Sequence, residues 1–169
     1  MPTKTTLTAM ALTLVLLFGL LGCAGMGGTP TPYEGYTNVY LQNNIHGYTK
    51  AARGGKTEYI ASYANYVQPD TGHFFVPVNT AVSVGKYRGG FTLTRLDNNQ
   101  LIYFEYRAGN MGGMSVEEYL NLITAPQKVA LSGLSATDRK GITEGRVLSG
   151  MTKKGVRMAW GYPERHRNP

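Results

Sequence analysis

Three histidines, His46, His73 and His166, the adjacent carboxylates Glu117 and Glu118, and the single cysteine Cys23 are the side chains in this sequence best suited to chemistry. Hydrolytic catalysis needs a nucleophile beside a base, and none of the histidines stands near a recognisable nucleophile motif. His73 follows a turn signal and precedes an apolar run, which favours a structural histidine. His166 lies in a basic tail with no nearby metal-ligating residue. Glu117 and Glu118 project from different faces of a helix, and Glu118 is claimed by a capping role described below. Arg53-Gly54-Gly55-Lys56 reads as a basic loop, with an anionic polymer as the sharper alternative. No metal or cofactor motif is present in the sequence, so the expected class is non-enzymatic, with no cofactor and no metal.

Cys23 follows Leu20-Leu21-Gly22 and an apolar run over residues 9–21, preceded by Lys4. The run is too short for a permanent membrane span and has the length of a signal-peptide core. These four residues resemble the lipobox of bacterial lipoproteins. The resemblance implies cleavage before Cys23, a diacylglyceryl group on its thiol and acylation of the new amino terminus. Residues 1–22 are then a signal peptide, and an ordinary secretory signal containing a cysteine is the alternative. Each buried methylene contributes about 0.8 kcal/mol, so two or three chains anchor far more firmly than one. Cys23 is the only cysteine, which excludes an internal disulfide.

Residues 23–32 continue as Ala24-Gly25-Met26-Gly27-Gly28-Thr29-Pro30-Thr31-Pro32, a composition expected of a flexible tether. In enteric lipoproteins an alanine after the anchor, rather than Asp, goes with outer-membrane sorting. The expected location is therefore the outer membrane, facing the periplasm. The formal charge of +7 falls to +6 without Lys4. In that compartment anionic headgroups or cell-wall polymers are the counter-charges to expect, and nucleic acid is not. A solvated basic surface explains the charge equally well.

Residues 33–107 hold ten of the twelve tyrosines and are rich in valine, threonine and glycine, which favours strands. Residues 91–95 and 101–107 flank Asp97-Asn98-Asn99 and predict a hairpin. Ile102, Phe104 and Tyr106 fall on one face, with Tyr103, Glu105 and Arg107 on the other. Val82 and Val84 share a face of a strand over 81–87, ended by Arg88-Gly89-Gly90. Gln68-Pro69-Asp70-Thr71-Gly72 predicts a turn between residues 59–67 and 73–76. The first of these segments has tyrosines at helical spacing, but the turn favours a strand. Residues 74–82, with Pro77-Val78-Asn79-Thr80 inside, resemble the strand and turn of small SH3-like barrels in envelope proteins.

From residue 108 the period changes to 3.6. Gly109-Asn110-Met111-Gly112-Gly113 reads as a hinge or turn, and its spacing fits no phosphate-binding loop. Ser115-Val116-Glu117-Glu118 is a capping box opening a helix with Val116, Tyr119, Leu120 and Ile123 as its apolar stripe, stopped near Ala125-Pro126. Ser135 caps a second, weaker helix with Asp138, Ile142 and Glu144, and Gly145 lies just past its end. Thr152 caps a third, in which Val156, Ala159 and Trp160 form the expected stripe and Gly161 a left-handed stop. The fold class expected is α+β: a small antiparallel β-rich, SH3-like module over 33–107, then two or three short helices over 108–169.

The stretch from Gly150 to Pro163 also resembles the Gly-Met-Thr, valine, Gly-x-Pro signature of the SmpA/OmlA lipoproteins, the BamE-like family. Gly150, Met151, Thr152, Val156, Gly161 and Pro163 carry the match, within a similar region of 135–163. The resemblance implies an outer-membrane assembly or scaffold factor acting through protein contacts, with Lys153, Lys154 and Arg157 as the interaction surface. An SH3-like module binding peptidoglycan or an envelope peptide is the alternative function. That family closes with a three-stranded meander, whereas this sequence ends six residues after Pro163. Truncation, strands supplied by a partner, and packing of the helices on the upstream sheet are three ways to reconcile the difference.

Overall fold

The computed structural model describes residues 30–64 and 72–165. Cys23, most of the tether, residues 68–71 of the expected turn, Tyr66, Val67 and His166 lie outside the described residues. In chain order the elements are β1 (Val39–Leu41), β2 (Ile45–Ala51), β3 (Thr57–Ser62), β4 (His73–Val76), β5 (Ala81–Tyr87), β6 (Gly90–Arg95) and β7 (Leu101–Glu105). A 3-10 turn (Ala108–Met111), α1 (Val116–Ile123), β8 (Thr124–Ala125), α2 (Ala136–Glu144) and α3 (Lys153–Trp160) follow. Among the described residues no helix is long and apolar enough to cross a membrane.

The architecture is mixed α+β. All eight strands belong to one sheet, ordered β4-β2-β3-β7-β6-β5-β1-β8. Every pair is antiparallel except β3 with β7, which run parallel and join two antiparallel halves. The expected hairpin forms in register, with Phe91 opposite Phe104 and Leu93 opposite Ile102. Residues 74–82 do not make a hairpin between neighbours: β4 is an edge strand beside β2, while β5 pairs with β6 and β1. Their connection is held from outside instead. Asn79 adopts a left-handed φ of 67°, which a short polar side chain tolerates. Its amide group donates to Val129 O at 3.0 Å and accepts from Val129 N at 2.7 Å, so the Pro77–Thr80 turn is tied to the chain entering α2.

Alternation along the strands builds the main core. Val82, Val84, Phe91, Leu93, Ile102 and Phe104 are buried together with Tyr119, Leu120 and Ile123 of α1. Phe91 stacks on Phe104 with centroids 4.4 Å apart, and Tyr119 packs 4.8 Å from Tyr106. Burial raises the pKa of Tyr119, with Tyr106 and Tyr162 adding to the shift. The capping box is present in full: Glu118 N donates to Ser115 Oγ at 3.1 Å and Ser115 N to Glu118 Oε2 at 2.7 Å. The glycine-rich stretch before it is a 3-10 turn that buries Met111, closed by Gly112 at φ 71°. After α1 the chain extends at once, and Thr124–Ala125, at the point where the first helix was expected to stop, pairs with β1 as a strand that the sequence did not predict. Thr31 and Pro32, placed by sequence in the tether, lie along β5. Lys86 N donates to Thr31 O at 2.6 Å, and Pro32 bridges Gly85.

The helices pack on the upstream sheet. In β2, Ile45 faces the main core and His46 the opposite side, so the start of the strand is buried on both faces. Leu134, Ile142, Met158 and Ala159 form a second apolar cluster between α2 and α3. Asn44, fully buried just before β2, joins the pieces. Its Nδ2 donates to Ile142 O at 2.7 Å and Ala159 O at 3.2 Å, its backbone N to Met158 O at 2.8 Å, and its Oδ1 accepts from Val78 N at 2.8 Å. Replacing Asn44 with Ala leaves buried polar groups unpaired at 1–3 kcal/mol each. Chemical denaturation should show a loss of about 3–5 kcal/mol, and a loss under 1 kcal/mol would remove Asn44 from this role.

Candidate functional site

The surface singled out from sequence, Lys153, Lys154 and Arg157, lies on α3, and all three side chains are exposed. Lys153, Arg157 and Trp160 recur at helical spacing and make one stripe, with Trp160 38 % exposed at its end. Apolar packing falls elsewhere than the sequence suggests: Met158 and Ala159 are buried with Gly155, Val156 is half-buried, and Trp160 is largely outside the core. The cause is that α3 leans on both α2 and β2. Helix closure differs as well. Gly161 has φ 92° and ψ −168°, positive in φ but extended in ψ, so it is not the left-handed stop expected.

What ends the helix comes from the sheet. The last carbonyls of a helix lack partners within it. Those of Met158 and Ala159 accept from Asn44, and Ala159 O also lies 2.7 Å from Nε2 of His46. A carbonyl only accepts, so this nitrogen carries the proton. Burial lowers the His46 pKa; the bond to Ala159 raises it in part, and His73 lowers it further. The ring is enclosed by Trp160, with centroids 4.4 Å apart, and by Phe75 at 5.7 Å.

The beginning of α3 is held by α2. Thr152 accepts from Gly155 N at 3.0 Å, as its capping role requires. Its own N and Oγ1 donate to the buried carboxylate of Asp138 at 2.8 and 3.0 Å. Asp138 in turn sits in the first turn of α2, capped by Ser135. A Cβ on Gly155 would stand 2.0 Å from Asp138 Oδ1, so this residue must be glycine for the carboxylate to reach the helix end. Desolvation pushes the Asp138 carboxyl up, but hydrogen bonds from Thr152 and Ser135 outweigh it and hold the pKa below the usual range.

A second feature is a cleft of about 640 Å³ on the far side of the sheet order, lined by Tyr33, Tyr87, Arg88, Glu105, Tyr106 and Arg107 among others. The ladder explains the two arginines: Gly90 pairs with Glu105 and Tyr106 N donates to Gly89 O, which brings the Arg88 turn beside Arg107. Neither arginine is ion-paired among the described residues. Arg53 and Lys56 lie in the exposed β2–β3 turn, closed by Ala52 N donating to Lys56 O at 2.8 Å. Glu117 is exposed. No group of three or more His, Cys, Asp or Glu side chains is assembled among the described residues.

Comparison with protein-family models, curated proteins and solved structures returns no match. Sequence reasoning missed the inward roles of Asn44, His46 and Asp138. The one signal available was polar residues at alternate positions 44 and 46 beside the apolar Leu41 and Ile45.

The low pKa of Asp138 sets a pH dependence. A carboxyl whose folded pKa lies below its unfolded value stabilises the fold fully above the unfolded value, near 4, and loses that contribution as pH falls through the folded value. Asp138→Asn should therefore be less stable than the parent at pH 6, and the gap should narrow as pH falls from 5 toward 2. Denaturation midpoints measured across that range check it; a gap independent of pH would contradict the ionised cap.

Proposed function

We propose that this chain is a lipid-anchored envelope protein that acts as a non-enzymatic assembly or scaffold factor through protein contacts, with the exposed face of α3 as the contact surface. In this reading acylated Cys23 holds it in the outer membrane, facing the periplasm. The resemblance of residues 135–163 to the SmpA/OmlA lipoproteins supports the class of activity, and the lipobox supports the address.

The observation that carries the proposal is electrostatic. Cations in the first turn of a helix oppose the macrodipole, each by about 0.3–1 kcal/mol at exposed positions. Lys153 and Lys154 occupy that turn, which contains no acidic residue. The buried carboxylate of Asp138 offsets them from the neighbouring helix. With that anion in place stability does not select for acidic side chains at 153 and 154, and the exposed lysines form a cationic surface suited to a partner with an acidic face. Trp160, at the other end of the stripe, supplies an aromatic anchor of the kind that dominates protein interfaces.

A second reading is an SH3-like module that binds peptidoglycan or an envelope peptide. Its support is the cleft, where the exposed Tyr87 and the half-buried Tyr33 stand beside Arg88 and Arg107, neither ion-paired among the described residues. Pelleting of the unacylated chain with purified cell wall, lost on Arg88→Ala, would favour it over the first.

One fractionation experiment tests the leading proposal. The anchored parent should crosslink to outer-membrane proteins, and Cys23→Ala should move to the soluble periplasm. Lys153→Glu with Lys154→Glu should stay in the membrane fraction, change by about 1 kcal/mol or less in stability because the gain against the macrodipole is opposed by repulsion from Asp138, and lose at least tenfold in crosslinked partner. Undiminished crosslinking in the double variant would refute the α3 surface, and membrane retention of Cys23→Ala would refute the anchor.

A further inference from the structure

Pro30 stands seven positions after Cys23 in the sequence. Seven residues span at most roughly 25 Å, so an anchor at Cys23 keeps Pro30 within that distance of the bilayer. Pro30 is itself fixed to the sheet. A Cβ on Gly85 would stand 2.6 Å from Pro30 Cβ, and Lys86 N donates to Thr31 O at 2.6 Å. Gly85 and Tyr87 share a face of β5, so Pro30 lies beside the Tyr87 that lines the cleft. Strand direction then sorts the cations. β5 and β7 both run antiparallel to β6, and β3 runs parallel to β7. Arg88, after β5, and Arg107, after β7, are therefore at one end of the strands, whereas Arg53 and Lys56, before β3, are at the other.

We propose that the end carrying Tyr87, Arg88 and Arg107 faces the anchoring membrane, and that its cleft takes the phosphate groups of phospholipid headgroups. The inference rests on the lipid anchor of the leading proposal and leaves the partner surface on α3 as it stands. Arg88 and Arg107 are exposed and not ion-paired among the described residues, and the guanidinium fork matches phosphate oxygens. Lys86 adds a third cation, with Nζ 5.4 Å from the centroid of the Tyr33 ring. Glu105 lines the same cleft. Burial raises the Tyr33 pKa and Glu117 adds to it, which puts a second carboxylate nearby. Three cations against two carboxylates leave the balance positive. Tyr87 is 44 % exposed, and tyrosine is a side chain that settles at headgroup level. The short reach from Cys23 to Pro30 favours headgroups over cell-wall polymer, because it holds this end of the sheet close to the bilayer.

The test places photoreactive p-benzoylphenylalanine at position 87 of the full chain, expressed with its own signal in a bacterium that acylates lipoproteins. Membranes are illuminated, and adducts are identified by mass spectrometry. Phospholipid should be the main adduct at position 87, and the same group at position 56, at the opposite end of the strands, should give at least tenfold less. Arg88→Glu with Arg107→Glu should lower the lipid adduct at position 87 at least fivefold, since one basic residue near an anionic lipid surface is worth about that factor. Arg53→Glu with Lys56→Glu, the same change of charge at the other end, should leave it within twofold. Equal lipid adduct at positions 87 and 56, an undiminished adduct in Arg88→Glu with Arg107→Glu, or adducts at position 87 to cell-wall fragments or protein alone would overturn the inference while the acylated chain is still in the membrane. A chain absent from the membrane fraction would remove the anchor, and this inference with it.

Discussion

The carbonyl groups that end α3 have no partners in their own helix, and the rest of this structure is arranged around supplying them. Asn44 and His46 do so from the sheet, with three hydrogen bonds to Met158 O and Ala159 O. Such groups cost free energy when buried unpaired, so α3 can lie against the sheet only where these two residues reach it. Asn44 also binds Ile142 O of α2 and Val78 N of the β4–β5 connection. One buried amide thus fixes the relative placement of a strand, two helices and a turn. At its other end α3 depends on Asp138 of α2. Both ends of the helix are fastened by side chains from elsewhere, and its outward face is left free to differ.

This explains why the sheet is sided as it is. β2 is buried on both faces at its start, with Ile45 in the main core and His46 toward α3. Its neighbour β4 follows the same alternation, with Phe74 and Val76 on one side and Phe75 on the other. Gly47 reflects the crowding on the core side: a Cβ there would stand 2.3 Å from Ile60 O and 2.6 Å from the Phe74 ring. The opposite half of the sheet, β5 to β7, carries the aromatic cluster with Tyr119. A single parallel pairing of β3 with β7 makes the two halves continuous.

Much of the local structure was legible in the sequence because it is written in local chemistry. The hairpin over β6 and β7 follows from alternation of Phe91, Leu93, Ile102 and Phe104, and the start of each helix from Ser115, Ser135 and Thr152. What joins these pieces was not legible. The separation of β4 from β5, the parallel β3–β7 pair and the inclusion of β8 depend on contacts distant in sequence, to which no periodicity points. The apolar stripe of α3 was misplaced for the same reason. A helix pinned by polar bonds at both ends turns the face those bonds dictate, here Met158 and Ala159 inward and Trp160 outward. Of the candidate surface, Lys153, Lys154 and Arg157 were identifiable as exposed from their spacing, whereas the meeting of His46 with His73 required the register of β2 and β4.

If sheet and helices are one unit held through Asn44, α3 must open only when β2 opens. Native-state amide hydrogen exchange reads this directly, because it reports the free energy of opening residue by residue. The amides of Met158, Ala159 and Gly161 should exchange with the same opening free energy as those of β2, within about 1 kcal/mol. Rapid exchange throughout α3, with β2, β6 and β7 still protected, would show that the helix is only loosely laid on the sheet and would contradict it.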